Sequence, residues 1–321
     1  MKNKKIKYAL NFLVVVLFII LMTKLDYKSI FMDLKAISKV VLVSLILMQL
    51  LEMGLLNYQN QRLAKKVGHK LSFVDMFFVT SIGHVFDAIT PGGGVGGEAV
   101  KIMKLKQHMD IPLAKGTAMV LAQKIMSLCA LIVLVIVAFF YLTISNMVGV
   151  PFILEIFVYI ALVGVLAFVV YVFYHPATFI KKCEKIKNEK IRKALVNFLY
   201  GVKDIARDKK ECIIEMLISG VIWFVYPIKL YMLVTATGMD IGFITVYVVI
   251  VLANAIATVP IFPGGMLGFE VAMTSMLALF GVAGDTSLFI TTLYRFITFW
   301  FVIFVSVLYI LGYKIYKMIK K

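Results

Sequence analysis

Two short phrases carry most of the chemistry visible in this chain. Residues 91–98 read PGGGVGGE and residues 263–270 read PGGMLGFE. Pro91, Gly92, Gly93, Gly96 and Glu98 recur as Pro263, Gly264, Gly265, Gly268 and Glu270, while Gly94 and Gly97 belong to the first phrase alone. A glycine-rich turn that opens into a helix leaves several N–H groups free. With the positive end of the helix they form an anion site. Glycine also permits close backbone approach. Each glutamate falls in the first turn of the helix that follows, where it can cap that helix, pair with a cation or take up a proton. Cations follow at matching distances. Gln123-Lys124 lies 32–33 residues after Pro91, and Tyr294-Arg295 lies 31–32 residues after Pro263. Charges placed inside apolar segments mark a pathway or a pair. Lys124 and Arg295 therefore bind either the phrase glutamates or a phosphate group. Lys101 and Lys104 follow the first phrase at i, i+3 and share a helix face. They either guide an anion to it or are ordinary loop charge.

The elements that must position these residues are membrane helices. The chain has 321 residues, of which 62% are hydrophobic, against about half in soluble domains. Apolar stretches fall at roughly 8–23, 40–58, 73–90, 116–141, 152–174, 212–236, 243–262, 266–282 and 287–312. A run of about twenty such residues crosses the hydrocarbon core as a helix. The net charge of +17 would point to nucleic acid in a soluble protein. In this setting it reads as lysines crowding the cytoplasmic loops, and no nucleic-acid partner is expected.

The charges order the crossings. Basic residues gather at the N-terminus (Lys2, Lys4, Lys5, Lys7), in 59–72 (Arg62, Lys65, Lys66, Lys70), in 91–115 (Lys101, Lys104, Lys106, Lys115), in 175–211 (eleven lysines and arginines) and at the C-terminus (Lys314, Lys317, Lys320, Lys321). Segments 142–151, 237–242 and 283–286 carry none, and the exception is 23–39, with four lysines beside Asp26 and Asp33. Placing all five basic segments in the cytoplasm forbids a full crossing by 73–90. That stretch enters and returns, with Pro91 and the glycines near the turn, and 243–282 does the same from the other side around Pro263. The expected fold is thus an all-α integral membrane protein with six full spans, two re-entrant glycine-rich hairpins and both termini cytoplasmic. It is one domain, 1–321, made of two inverted repeats at 8–141 and 152–312, an arrangement known among transporters.

Other polar residues are secondary. Gln49 and Glu52 in the second span, His84 and Asp87 before the first phrase, and Asn254 before the second either line a cavity or satisfy a neighbouring helix. Pro227 should kink its span, with Lys229 nearby snorkelling to the interface. In the basic loop 175–211, Ile191, Leu195, Phe198, Val202 and Ile205 recur at helical spacing. That pattern reads as an amphipathic helix lying on an anionic leaflet, or one docking a partner. The three cysteines imply no disulfide framework. His69, His84, His108 and His175 have no metal-ligand spacing, so no metal or cofactor is expected. The start MKNKKIKY has no small-x-small cleavage site after its apolar run, so it reads as an uncleaved first helix.

The segments TPGGGVGGEAVK, LAQKIMSL, VPIFPGGMLGFE and LYRFITFWF together resemble the lysylphosphatidylglycerol synthase transmembrane-region family, a flippase-like membrane module. The resemblance covers nearly the whole chain. It implies movement of lipid headgroups between leaflets, which in two-domain relatives concerns an aminoacylated phosphatidylglycerol made by a separate soluble transferase domain. This chain ends at KIYKMIKK, so no transferase domain and no synthase activity are expected. Gln123-Lys124 stands where the family more often has Glu-Arg, which exchanges a bidentate fork for a point charge.

These readings combine into one expectation. The chain is a translocase in a prokaryotic cell membrane, acting on an anionic or phosphate-containing lipid, aminoacylated or polyprenyl forms included. Membrane lipids are its expected partners, and a homo-oligomer is compatible with the pattern. The headgroup would meet Gly92, Gly93, Gly94, Gly96, Gly97, Glu98, Lys101 and Lys124 on one side, and Gly264, Gly265, Gly268, Glu270 and Arg295 on the other. A transporter of a small soluble anion and an enzyme or assembly factor for lipid-linked intermediates are the alternatives. No nucleophile–base pair is visible for the last.

Overall fold

The computed structural model describes residues 37–90, 95–145, 152–183, 186, 188–258 and 268–319. Among them all regular structure is helical. In chain order the helices are α1 (Lys39–Lys66), α2 (Phe73–Ile89), α3 (Val95–Met109), α4 (Leu113–Ser145), α5 (Phe152–Tyr174), α6 (Pro176–Cys183), α7 (Glu189–Ala206), α8 (Lys209–Ala236), α9 (Phe243–Ala257), α10 (Gly268–Leu279) and α11 (Gly284–Arg295). A π-helical turn, Phe296–Trp300, then leads into α12 (Phe301–Ile319). Five described helices are long and apolar enough to cross a membrane: α1, α4, α5, α8 and the continuous stretch Gly284–Ile319. They coincide with five of the six expected spans. The sixth, 8–23, lies outside the described residues, as do Pro91, Gly92, Gly93, Gly94, Pro263, Gly264 and Gly265.

One element differs in extent from the sequence reading. Helix α1 does not stop with its apolar stretch at 58 but runs on to Lys66, taking Arg62, Lys65 and Lys66 into the helix. Carboxylates on α8 receive two of those cations, as described below. The helix expected after the first phrase is α3, which carries Glu98 in its first turn. Gly96 and Gly97 let its first turn lie against α2. A Cβ at Gly96 would stand 1.9 Å from Thr90 Oγ1, and one at Gly97 would stand 2.3 Å from the Asp87 carboxyl and from the Gly83 carbonyl oxygen.

The chain punctuates itself twice in the same way. Four described residues have left-handed backbone: Gly68 (φ 88°), Asp110 (φ 52°), Gly238 (φ 79°) and Gly281 (φ 92°). They follow the ends of α1, α3, α8 and α10. Glycine accepts this conformation without steric cost, and aspartate is among the side chains that tolerate it. Six residues separate α1 from α2 and six separate α8 from α9. Helices α1 and α8 have 28 residues each. The order long helix, two short helices, long helix therefore recurs with its turn residues in corresponding places.

The fold divides into two compact units, cut within α1, α2, α3 and α8. One unit takes its residues from 1–50, 81–98 and 227–321, the other from 51–80 and 99–226. In the first unit α10 packs against α9 and α11, Phe269 stacks on Tyr294, and Thr274 donates to Thr291 across 3.0 Å. In the second unit α4 packs against α5 and α7. Small residues bring these helices together, as membrane packing favours. A Cβ at Gly201 of α7 would stand 2.6 Å from that of Ala118 on α4. The amphipathic helix expected in 175–211 is therefore seated on protein along its second half, where Leu199, Val202 and Ile205 are buried. Ile191 and Leu195 at its start are exposed.

Candidate functional site

The second phrase delivers its glutamate to the expected cation. Glu270 stands in the first turn of α10, near the positive end of that helix. Arg295 is the last residue of α11. Its Nε donates to Glu270 Oε1 at 2.8 Å, and its side chain is 14% exposed. The guanidinium also lies 4.8 Å from the centre of the Phe269 ring and 4.5 Å from that of Phe299. Two aromatic faces and a carboxylate thus hold one cation, each attraction strengthened by exclusion of water. The π-turn starts at the next residue. Such turns add one residue to a helix and are frequent at functional sites. Here it carries Phe299 to the guanidinium. Gly268, two residues before Glu270, has room for a side chain, since its Cβ would meet only Ile256 at 4.0 Å.

The first phrase is built differently. The Gly97 N–H donates to Asp87 Oδ1 at 2.8 Å, so the α2 aspartate caps α3 and occupies an N–H that the sequence offered to an anion. Glu98 sits half-buried in the first turn of α3. Lys101 is buried, 6% exposed. In the second unit, Lys124 is half-buried on α4 and makes no ion pair among the described residues.

Of the secondary polar residues, His84, Glu52 and Gln49 meet side chains of other helices, whereas Asn254 does not among the described residues. His84 Nδ1 lies 3.3 Å from Ser306 Oγ, and Tyr226 donates to Glu52 at 2.8 Å. Asn254 donates to the Ile250 carbonyl of its own helix. Lys229 corrects the sequence reading. It does not snorkel but is fully buried and donates to Gln49 Oε1 at 2.7 Å. A buried amide oxygen gives the ammonium a partner that the apolar surroundings cannot. No cluster of metal-ligating side chains is present among the described residues.

Sequence reasoning missed a polar ladder in the second unit. On α1 stand Gln59, Arg62 and Lys66; opposite them are Asp208 and, on α8, Glu211, Glu215 and Ser219. Lys66 donates to Asp208 at 2.7 Å, and Arg62 donates to Glu211 and, at 2.7 Å, to Glu215. Gln59 donates to the Glu215 carbonyl and to Ser219, and accepts from Gln123 of α4. Residue numbers rise on one helix as they fall on the other, the mark of an antiparallel pair. The signal was present as polar residues spaced by three and four at the ends of two apolar helices. Asp208, outside the spans, has its carboxyl held below the usual range, first by its hydrogen bond from Lys66.

Residues 8–306 match the family described as the lysylphosphatidylglycerol synthase TM region. The chain belongs to this family. Among similar proteins is a UPF0104 membrane protein of Pyrococcus horikoshii, 27% identical over 249 residues, covering 72% of this chain and 74% of the relative. A UPF0104 membrane protein of Methanothermobacter thermautotrophicus is 26% identical over 248 residues, 71% and 72% of the two chains. With the five apolar helices, the family membership makes this a multi-pass membrane protein. The family match spans both glycine phrases, both intramembrane cations and the ladder.

Proposed function

We propose that this chain moves an anionic, phosphate-bearing lipid headgroup between the leaflets of a prokaryotic cell membrane, and that transport rather than synthesis is its activity. The observation that carries the reading is Arg295. A guanidinium inside an apolar span, paired to the glutamate that ends a glycine-rich phrase, is a preformed anion receptor. An arriving phosphate competes with Glu270 for it, and the displaced carboxylate takes up a proton or another partner. Two further features support the reading. The recurring helix order with matching left-handed turns favours inverted repeats at 8–141 and 152–312, with α2–α3 and α9–α10 as the re-entrant arms and both termini cytoplasmic. Family membership adds aminoacylated phosphatidylglycerol to the candidate cargoes beside polyprenyl phosphates. Rocking of one repeat against the other would alternate access, as in other inverted-repeat carriers.

The test is a leaflet-exposure assay in proteoliposomes with fluorescent phosphatidylglycerol and a fluorescent polyprenyl phosphate. Wild type should speed equilibration of at least one lipid, and Glu98→Gln and Arg295→Ala should lose that effect while remaining folded. No acceleration of either lipid by folded wild type would reject lipid transport and leave a soluble anion as cargo.

A further inference from the structure

The second unit holds a cavity of about 550 Å³ where α1 ends and the chain turns toward α2. Its size falls in the range of ligand sites, roughly 300–1,000 Å³. Four cations, Arg62, Lys65, Lys66 and Lys70, line it together with Tyr58 and a single carboxylate, Glu211. Clefts lined by one sign of charge concentrate ions of the other.

The four cations divide into two kinds. Arg62 and Lys66 are rungs of the ladder, fixed by Glu211, Glu215 and Asp208. Arg62 has five N–H groups. Glu215, Glu211 and the Tyr58 hydroxyl take three of them, and two have no partner among the described residues. Lys65 and Lys70 are exposed and make no ion pair among the described residues. A planar guanidinium and two ammonium groups lining one cavity suit an anion with several oxygens. One flank is apolar: Phe73 and Val74 are each 46% exposed and Tyr58 is 44% exposed. Phe73 and Val74 follow Leu71 by two and three residues, and Leu71 and Tyr58 both line the cavity. An anion carrying an acyl chain could therefore seat its charge in the cavity and its chain along this flank.

We propose that this cavity is a binding site for a phosphate-bearing anion, with Lys65 and Lys70 as its direct ligands and Arg62 as a third, prepositioned by Glu211 and Glu215. The proposal does not rest on the reading of Arg295 and Glu270. The same chemistry fits a lipid headgroup or a soluble phosphate, and the test separates them.

Purified full-length protein in detergent would be titrated calorimetrically with inorganic phosphate and, separately, with short-chain phosphatidylglycerol. Wild type should bind at least one. Binding of the lipid alone identifies a headgroup site, and binding of both admits soluble phosphates; either supports the proposal. Lys65→Ala/Lys70→Ala should weaken binding about tenfold or more, as the loss of two charge-assisted contacts implies. Lys106→Ala/Lys181→Ala removes the same charge elsewhere and should change it less than about twofold. Thermal unfolding checks that the variants are folded, with Lys65→Gln/Lys70→Gln as the substitute if the alanine pair is not. The proposal is overturned if wild type binds neither anion, if the Lys65/Lys70 variant keeps wild-type affinity, or if the control pair loses as much. Transport in Arg295→Ala is a separate readout, so either reading can fail alone.

Discussion

Arg295 Nε donates to Oε1 of Glu270 at 2.8 Å, while Oε2 of the same carboxylate is buried with no hydrogen-bond partner among the described residues. The carboxylate is half used. One oxygen fixes the cation, and the other keeps an acceptor site in a place where an unmet acceptor is costly. An incoming hydrogen-bond donor would find that oxygen unoccupied by the described residues.

The pair should show energetic coupling. Glu270→Ala and Arg295→Ala should each destabilise by about 1–3 kcal/mol, because each leaves a part-buried charge without its partner. The double variant should cost less than the sum. Unfolding of the four proteins in mixed micelles gives the cycle, and a coupling below about 0.5 kcal/mol would mean the contact holds nothing.

The two glycine phrases should respond oppositely to alanine. At Gly97 a Cβ would stand 2.3 Å from Asp87 and from a backbone carbonyl, so Gly97→Ala should destabilise by about 1–3 kcal/mol. Gly268→Ala meets nothing closer than 4.0 Å and starts a helix, where alanine costs no backbone strain. Its unfolding midpoint should equal or exceed that of wild type. Equal loss in both variants would contradict the unequal packing.

The ladder should be the more fragile structure of the second unit. Gln59→Leu removes a fully buried amide that makes three hydrogen bonds and should cost roughly 2–4 kcal/mol. Arg62→Ala leaves Glu215, which is fully buried, without its cation. That should cost about 3–5 kcal/mol, of which adding Glu215→Gln restores part. Folded yield and denaturant midpoints measure both.

The outermost rung should make stability depend on pH. The Asp208 carboxyl titrates below its ordinary range because Lys66 donates to it. A depressed carboxyl stabilises the fold fully above the ordinary value, about 4, and loses that contribution as pH falls through the folded value. The midpoint difference between wild type and Asp208→Asn should be largest near neutrality and shrink on acidification. A difference that stays constant down to strongly acid pH would show that the carboxyl charge is not involved.

The sequence exposed what depends on local pattern. The stretch 152–174 coincides with α5, and 212–236 falls short of α8 only by its first charged turn. The meeting of Glu270 and Arg295 was legible because the phrase and its cation recur at spacings that differ by one residue. The ladder was not, because its partners lie far apart in the chain: Arg62 and Glu215 are separated by 153 residues. Read alone, a cation at a helix end looks like loop charge, and only its carboxylate shows that the helix continues. The seat of α7 was hidden for the same reason. Its apolar stripe was visible, but a stripe does not say whether lipid or α4 covers it. Gly97 was read as an open N–H donor because nothing local announces that Asp87, ten residues earlier, folds back upon it.

The π-turn between α11 and α12 sets the phase of one long helix. Ser287, Phe289, Ile290, Thr291, Leu293 and Tyr294 are its buried residues before the turn. Carried on at 3.6 residues per turn, that face would arrive at Leu308, yet Leu308 is 53% exposed and Ser306 is buried instead. The extra residue has rotated the later half by roughly 100°. Two contacts depend on that offset, Arg295 with Glu270 ahead of the turn and Ser306 with His84 behind it. An unbroken α-helix would satisfy one and swing the other out of reach. The turn acts as a fixed gear between two halves of a single rod, each meshing with a different neighbour.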